Sequence, residues 1–453
     1  MKLHFFGGAK VVTGANYLLE VGPTKIIVDC GLFQGPPELD ELNYQPFPYN
    51  PKDIDYVFIT HSHLDHCGRL AKLVKEGFKG PIICTPPTRD LMSVALEDAL
   101  HLMSQEARKK RMTPLFDKVA LKKLFTQIKT YIYGQEINLQ PNIKFTLRDS
   151  GHILGSSMIE FQLKEKNKKI TIVFCGDIGN PPTPLLNPPA KIKKTDYILV
   201  DSAYGDRNHE SKKERKNLLV QAIKDACLRR GVLLIPSFAI ERTQELLYEL
   251  NDLVENKLIP QLPIFIDSPL AIKITNIYQK YPQYFNQKTR YLISTGDDIF
   301  KFPGLRFTAN RQASKNILRV QPPKIIIAGS GMSTGGRILF HEKQYLSNPN
   351  NMFLVIGFQV EGTLGRKILE GTPVVNVLRE PIKNKIEVRA IGAYSAHADQ
   401  KLLLKFIKQI ARPIKKVIAV QGEKKAAETL AKVVQSKLKI VAVAPKYEDV
   451  MEL

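Results

Sequence analysis

Short runs of β-branched and aliphatic residues recur through the chain, each closed by Gly, Pro, Asp or Ser. They are "KIIVDCG" (25–31), "YVFITHSH" (56–63), "PIICT" (81–85), "KITIVFCGD" (169–177), "YILVDSAYG" (197–205), "GVLLIPS" (231–237), "PIFIDSP" (263–269), "KIIIAGSG" (324–331), "MFLVIGF" (352–358) and "KKVIAVQGE" (415–423). Continuous apolar runs of this length predict strands buried on both faces. Between them, helical patterns are predicted at 88–110 (opened by a Thr-x-Asp start), 211–229, 240–255 and 425–437. The alternation of the two predicts a layered α/β fold. Polar residues repeatedly stand at the C-terminal ends of the predicted strands, where open α/β sheets bind ligands. The Pro-rich stretch 180–194 continues neither a helix nor a central strand and reads as a boundary loop.

At 453 residues the chain is long for one domain, so two domains, or one carrying a large insertion, are expected. Hydrophobic residues at 43% and charged residues at 24% exclude a disordered chain. No stretch has the pattern of an export signal or a membrane span. The five cysteines Cys30, Cys67, Cys84, Cys175 and Cys227 are scattered, as expected of reduced thiols in a cytoplasmic protein. Cys67 beside the histidine cluster reads as a small buried filler rather than a ligand.

A formal net charge of +22 suits a polyanionic partner. Basic runs occur at 108–111, 164–169, 191–194 and 211–216. A basic run by itself is more often a solvated face, so charge supports a nucleic-acid partner without establishing one.

The chemistry concentrates in "VFITHSHLDHCGRL" (57–70). Side chains two apart in an extended segment point the same way, so His61 and His63 can grip one ion while Asp65 and His66, past the turn, face another. His152 in "GHILGS" and Asp177 in "FCGDIG" are the further candidate ligands, the Asp177 carboxylate being able to bridge two ions. Asp29 reads as the acceptor that orients a ligating histidine. Imidazole and carboxylate donors without thiolate favour zinc, with manganese or iron as substitutes. A divalent pair roughly 3.5–4 Å apart suits hydrolysis of a phosphodiester or another ester-like bond.

These segments, with "VDSAYGDRNH" (200–209), "IPSFAIERTQELL" (235–247), "IFIDSPLA" (264–271), "SGMSTGGRILFH" (330–341), "EGTLGRKILEG" (361–371) and "AYSAHAD" (393–399), resemble the β-CASP branch of the metallo-β-lactamase superfamily over almost the whole chain. The resemblance implies an αββα sandwich built from residues 1–207 and 384–453, with an α/β cap inserted at 208–383 over the metal cleft. It implies two zinc ions, the first on His61, His63, His152 and Asp177 and the second on Asp65, His66 and Asp177. It further implies Asp201 and His397 as a catalytic pair beside the metals, His397 being the proton donor to the leaving oxygen.

The resemblance breaks at one position. RNA-cleaving relatives read V-H-G-E where this chain reads "VQGE", so Gln421 stands in place of a ligand of the second ion and that ion is expected to bind weakly. Ser330, Gly331 and Arg337 in the glycine-rich "SGMSTGGR", with Ser237 and Arg242, are expected to contact phosphate. The implied function is a zinc-dependent ribonuclease, endonucleolytic on single-stranded RNA, in which a zinc-bound hydroxide leaves 5′-phosphate and 3′-hydroxyl ends. Three alternatives stay open: a weak or inactive RNA-binding partner of a processing complex, a DNA nuclease, and a small-molecule hydrolase. No membrane partner is expected, and a homodimer is left open.

Overall fold

A computed structural model describes residues 1–209, 214–357, 359–411 and 413–453. The chain divides into two compact units. The first comprises Met1–Pro182, Leu186–Asn208 and His397–Leu453, and the second Thr183–Leu185 and His209–Ala396.

The first unit is built on two seven-stranded sheets. One runs, edge to edge, Val450–Glu452, Lys2–Phe5, Tyr17–Val21, Thr24–Val28, Tyr56–Phe58, Ile82–Cys84 and Ile128–Thr130. The other runs Ala442–Val443, Lys416–Val420, Tyr197–Asp201, Lys168–Phe174, Ser157–Glu165, Ile143–Asp149 and Glu136–Gln140. Because successive side chains leave a strand on opposite faces, each apolar run feeds two cores. Ile26 and Val28 join the core between the sheets, with Phe58, Phe145, Phe161 and Phe174. Ile27 instead faces the layer holding Leu73, Met92, Leu96 and Leu121, from helices Leu70–Lys75, Pro86–Lys110 and Lys118–Thr126. On the second sheet Ile418 and Val420 point inward, while Val417 and Ala419 pack on helices Gln400–Lys408 and Lys424–Leu438. Four layers, αββα, are the outcome.

The second unit has a six-stranded parallel sheet in the order Leu305–Phe307, Ile264–Asp267, Lys324–Ala328, Val232–Pro236, Met352–Val355, Glu387–Ala390. Its core gathers Leu234, Phe265, Ile326 and Phe353. Glu387–Ala390, placed by the sequence reading in the last sandwich segment, pairs with Met352–Val355 as the edge strand of this second sheet.

The helix expected from 88 starts at Pro86 instead. Thr85 is its cap, accepting a hydrogen bond from the Thr88 backbone N–H, and proline suits the first turn, where the missing N–H has no partner to lose. The helix expected over 211–229 is described from Arg215 to Leu228, and residues 211–213 of its basic run lie outside the described residues. Among the described residues no helix is long and apolar enough to cross a membrane.

Candidate metal centre

Strand Tyr56–Phe58 carries the chain into Thr60, whose backbone N–H donates to Asp29 Oδ1 (2.8 Å) and whose hydroxyl donates to Asp29 Oδ2 (2.8 Å). This clamp sets the direction in which the next residues leave the sheet. His61 follows directly, His63 caps the short helix Leu64–Cys67, and that helix turns Asp65 and His66 inward. Gly31 lets its own loop lie against this helix: a Cβ there would stand 1.5 Å from the Asp65 carbonyl oxygen. Gly179 does the same for the other two loops, since a Cβ on it would stand 1.9 Å from the Gly151 carbonyl oxygen. The His152 and Asp177 loops can therefore close on one point.

The four donors meet there. His61 Nε2 lies 3.1 Å from His63 Nδ1, and His152 Nε2 lies 3.2 Å from the same atom. Asp177 Oδ2 lies 3.5 Å from His61 Nε2 and 3.2 Å from His152 Nε2. Donors held tetrahedrally at about 2.0–2.2 Å from an ion stand roughly 3.3–3.6 Å apart. The observed spacing fits one tetrahedral cation, and lone pairs converging so closely repel one another without one. These four residues form a group that could hold a metal ion. Burial, reinforced by His66, keeps His61 well below the ordinary histidine range and so in the neutral form a ligand needs. Burial opposes the charge of Asp177, but His66, His397, His61 and His152 outweigh it and hold the carboxyl well below its usual range.

Asp65 and His66 do not extend this set in the same way. Among the described residues, two groups of candidate ligands have all their donor atoms within 4.8 Å of one another: His61, His63, His152 and Asp177, and separately Asp177, Asp201 and His397. Asp65, His66 and Asp177 form no such group. His66 Nδ1 lies 2.7 Å from Asp29 Oδ2, the orienting contact expected of Asp29. His66 Nε2 lies 2.8 Å from the Gln421 amide nitrogen, which also donates to Asp177 Oδ1 at 2.8 Å.

His397 reaches the site through the backbone. The Ala398 N–H donates to the Ile178 carbonyl (2.8 Å), and Gly179 and His397 form an isolated antiparallel bridge. Its Nδ1 lies 3.5 Å from Asp201 Oδ2 and 3.6 Å from Asp177 Oδ2, with the side chain 29% exposed. Burial raises Asp201 to about 6. Burial also disfavours a charged His397, yet Asp177, Asp201 and Asp65 together lift it above the ordinary histidine value. Tyr204, which the sequence did not single out, has its ring 6.2 Å from that of His397. Thr60 was likewise missed; a threonine before a histidine in a strand carries no local signal of its role.

The expected phosphate contacts lie in the second unit, and there the two arginines are engaged. Arg337 Nη1 donates to Asp267 Oδ1 (2.6 Å) and to the Thr308 carbonyl (2.7 Å). Arg242 is buried and pairs with Glu245. Ser237 is buried, its hydroxyl 3.0 Å from that of Thr243. Within the glycine-rich loop, the Ser330 N–H donates to the Gly335 carbonyl (3.1 Å) and the Thr334 N–H to Ser330 Oγ (2.9 Å), while Gly331 lies buried. A buried charge needs a neutralising partner: buried Arg242 has the helical Glu245, and partly exposed Arg337 neutralises the buried strand-end Asp267. Cys67 is buried with its thiol donating to the Ser62 carbonyl (3.4 Å), outside both groups of candidate ligands.

Comparison with known proteins agrees with this architecture. The metallo-beta-lactamase superfamily matches residues 10–120, the Beta-Casp domain 243–368 and the Zn-dependent metallo-hydrolase RNA specificity domain 381–445. Ribonuclease TTHA0252 of Thermus thermophilus is 34% identical over 95% of this chain and 95% of its own length. Transcription termination factor FttA of Methanosarcina mazei is 31% identical over 96% of this chain and 69% of its own. A solved structure described as a protein of unknown function from Enterococcus faecalis matches 100% of this chain and 99% of its own at a TM-score of 0.56 and 13% identity, a likeness of fold. Two sheets of this order, a four-donor site at their loops and a relative aligned over 95% of both chains converge on one conclusion: the chain belongs to the β-CASP branch of the metallo-β-lactamase superfamily.

Proposed function

We propose that this chain is a zinc-dependent endoribonuclease that hydrolyses single-stranded RNA in the cytoplasm, leaving 5′-phosphate and 3′-hydroxyl ends. The observation that carries the proposal is the juxtaposition of a tetrahedral four-donor site with His397, whose Nδ1 faces two carboxylates at 3.5 and 3.6 Å. The 34% identity to a ribonuclease over nearly the whole chain and the +22 charge favour RNA as the polyanion.

His61, His63, His152 and Asp177 would hold the ion, which when bound polarises a phosphoryl oxygen and acidifies water. Asp65, 22% exposed at the same pocket, accepts a hydrogen bond from the attacking water and orients it. Because Nδ1 of His397 faces Asp201 and Asp177, Nε2 is the atom that gives a proton to the departing 3′ oxygen. The partial exposure of the ring leaves that atom within reach of substrate.

The test is cleavage of labelled linear and circular RNA, with sequence-matched DNA alongside, by zinc-loaded protein. Cutting of the circle with the stated ends and sparing of DNA are expected. Cutting of DNA alone would transfer the proposal to a DNA nuclease. RNA bound but left intact would favour the second reading, a weak or inactive RNA-binding partner, which the amide of Gln421 among the acidic and histidine ligands motivates.

A further inference from the structure

We infer that this chain holds one divalent cation tightly rather than two, and that the Gln421 carboxamide takes the place of the second. The inference rests on the metal-centre reading above and concerns its ion count.

Hydrogen-bond logic assigns the amide. Asp177 Oδ1 is a carboxylate oxygen and can only accept, so the Gln421 atom 2.8 Å from it must be the nitrogen. Asp29 Oδ2, 2.7 Å from His66 Nδ1, accepts a hydrogen bond on that side of the ring, so Nε2 is the atom turned toward Asp177 and Gln421. That nitrogen lies 2.8 Å from the same amide nitrogen and 3.3 Å from Asp177 Oδ1. The carboxamide nitrogen thus stands 2.8 Å from each of the two atoms, His66 Nε2 and Asp177 Oδ1, that a second cation would bind. Asp177 divides its oxygens: Oδ2 joins the four-donor site, and Oδ1 goes to Gln421.

The glutamine is held in this pose. It is 2% exposed, its φ is +51°, and its backbone N–H donates to the Gly8 carbonyl at 2.6 Å. The Gly8 loop fits around the side chain, since a Cβ on Gly8 would stand 3.1 Å from Gln421 Cγ and 2.5 Å from the Tyr17 hydroxyl. Swinging the amide aside would strip buried Asp177 Oδ1 of the hydrogen bond it accepts from Gln421 unless a cation entered at the same moment. The contrast with the first site is direct, because there every donor atom converges and no amide intervenes.

The full-length chain, stripped with chelator, reloaded with excess zinc and freed of loose metal by gel filtration, is assayed for zinc per chain by elemental analysis. Wild type is expected to hold one. Gln421→His and the isosteric Gln421→Glu each replace the NH2 donor by a ligand and are expected to hold two. In the wild-type background Asp65→Ala is expected to keep one zinc and His63→Ala to keep none, which tests the inference without altering Gln421. Two zincs in wild type, loss of the single zinc in Asp65→Ala, or one zinc in both folded Gln421 variants would overturn it. RNA cleavage is read in parallel: one zinc without cleavage sinks the proposed ribonuclease and leaves the ion count standing, whereas two zincs with cleavage does the reverse.

Discussion

His397→Ala separates proton donation from metal binding. The histidine lies outside the four-donor set, its Nδ1 3.6 Å from Asp177 Oδ2 of that set and 3.5 Å from Asp201 Oδ2 beside it. Removing the ring therefore deletes no ligand of the ion, and zinc content is expected to stay at the wild-type value. What disappears is a proton for the departing 3′ oxygen. A positioned general acid contributes roughly 10²–10⁴-fold, which at 1.36 kcal/mol per tenfold is about 2.7–5.4 kcal/mol of barrier. The assay is single-turnover cleavage of a labelled oligonucleotide at saturating protein, with a second substrate carrying sulfur in place of the scissile 3′ oxygen. A thiolate leaves without needing a proton, so the variant's deficit is expected to shrink to within about tenfold on that substrate. An equal deficit on both substrates, or release of zinc by the variant, would refute the role of His397 as proton donor.

His63→Ala removes the one imidazole whose Nδ1 lies 3.1–3.2 Å from two other donors, so cleavage is expected to vanish with the zinc while circular dichroism stays unchanged; a thermal collapse equal to that of a core deletion would mean the ion is structural. Asp29→Asn converts an acceptor of three hydrogen bonds into a group that also donates toward His66, and is expected to lower stability by about 2 to 3 kcal/mol in urea unfolding of metal-free protein; an unchanged midpoint counts against the orienting role. Arg337→Ala leaves Asp267, fully buried, without its guanidinium partner, at an expected cost of about 2 to 3 kcal/mol, read as a lowered urea midpoint. Burial alone would raise Asp267, but donors from His341, Ser314, Arg337 and Thr308 bring it to about 2. Its folded value is thus below the unfolded one of about 3.9, and the stabilisation it provides is complete above about pH 4 and lost as pH falls through about 2. Asp267→Asn is expected to flatten that stretch of the acid-unfolding curve, and an unchanged acid limb would show that Asp267 does not set it.

Much of this protein is legible along the chain because the physics is local. A run such as "KIIVDCG" must be a strand covered on both sides, since successive apolar side chains leave opposite faces of a pleat, and Ile26 and Ile27 do enter different cores. Three histidines and an aspartate within six positions at a strand end announce a metal site, because so many ligands in one turn serve little else. Which of those ligands converge is another matter. His63 and His152 are 89 residues apart and meet only in the folded chain, and the loops of His152 and Asp177 close together because Gly179 has no side chain.

Polar partnerships formed across the fold are where local pattern runs out. "SGMSTGGR" and "AIERTQ" suggest arginines ready for phosphate, whereas Asp267 and Glu245 engage Arg337 and Arg242, because a buried charge must find its opposite wherever packing brings one. Gln421 shows the division most plainly. Its identity in the chain marks a missing imidazole, but only tertiary packing decides that its amide nitrogen, 244 residues from Asp177 and 355 from His66, comes within 2.8 Å of the atoms those residues would offer a metal.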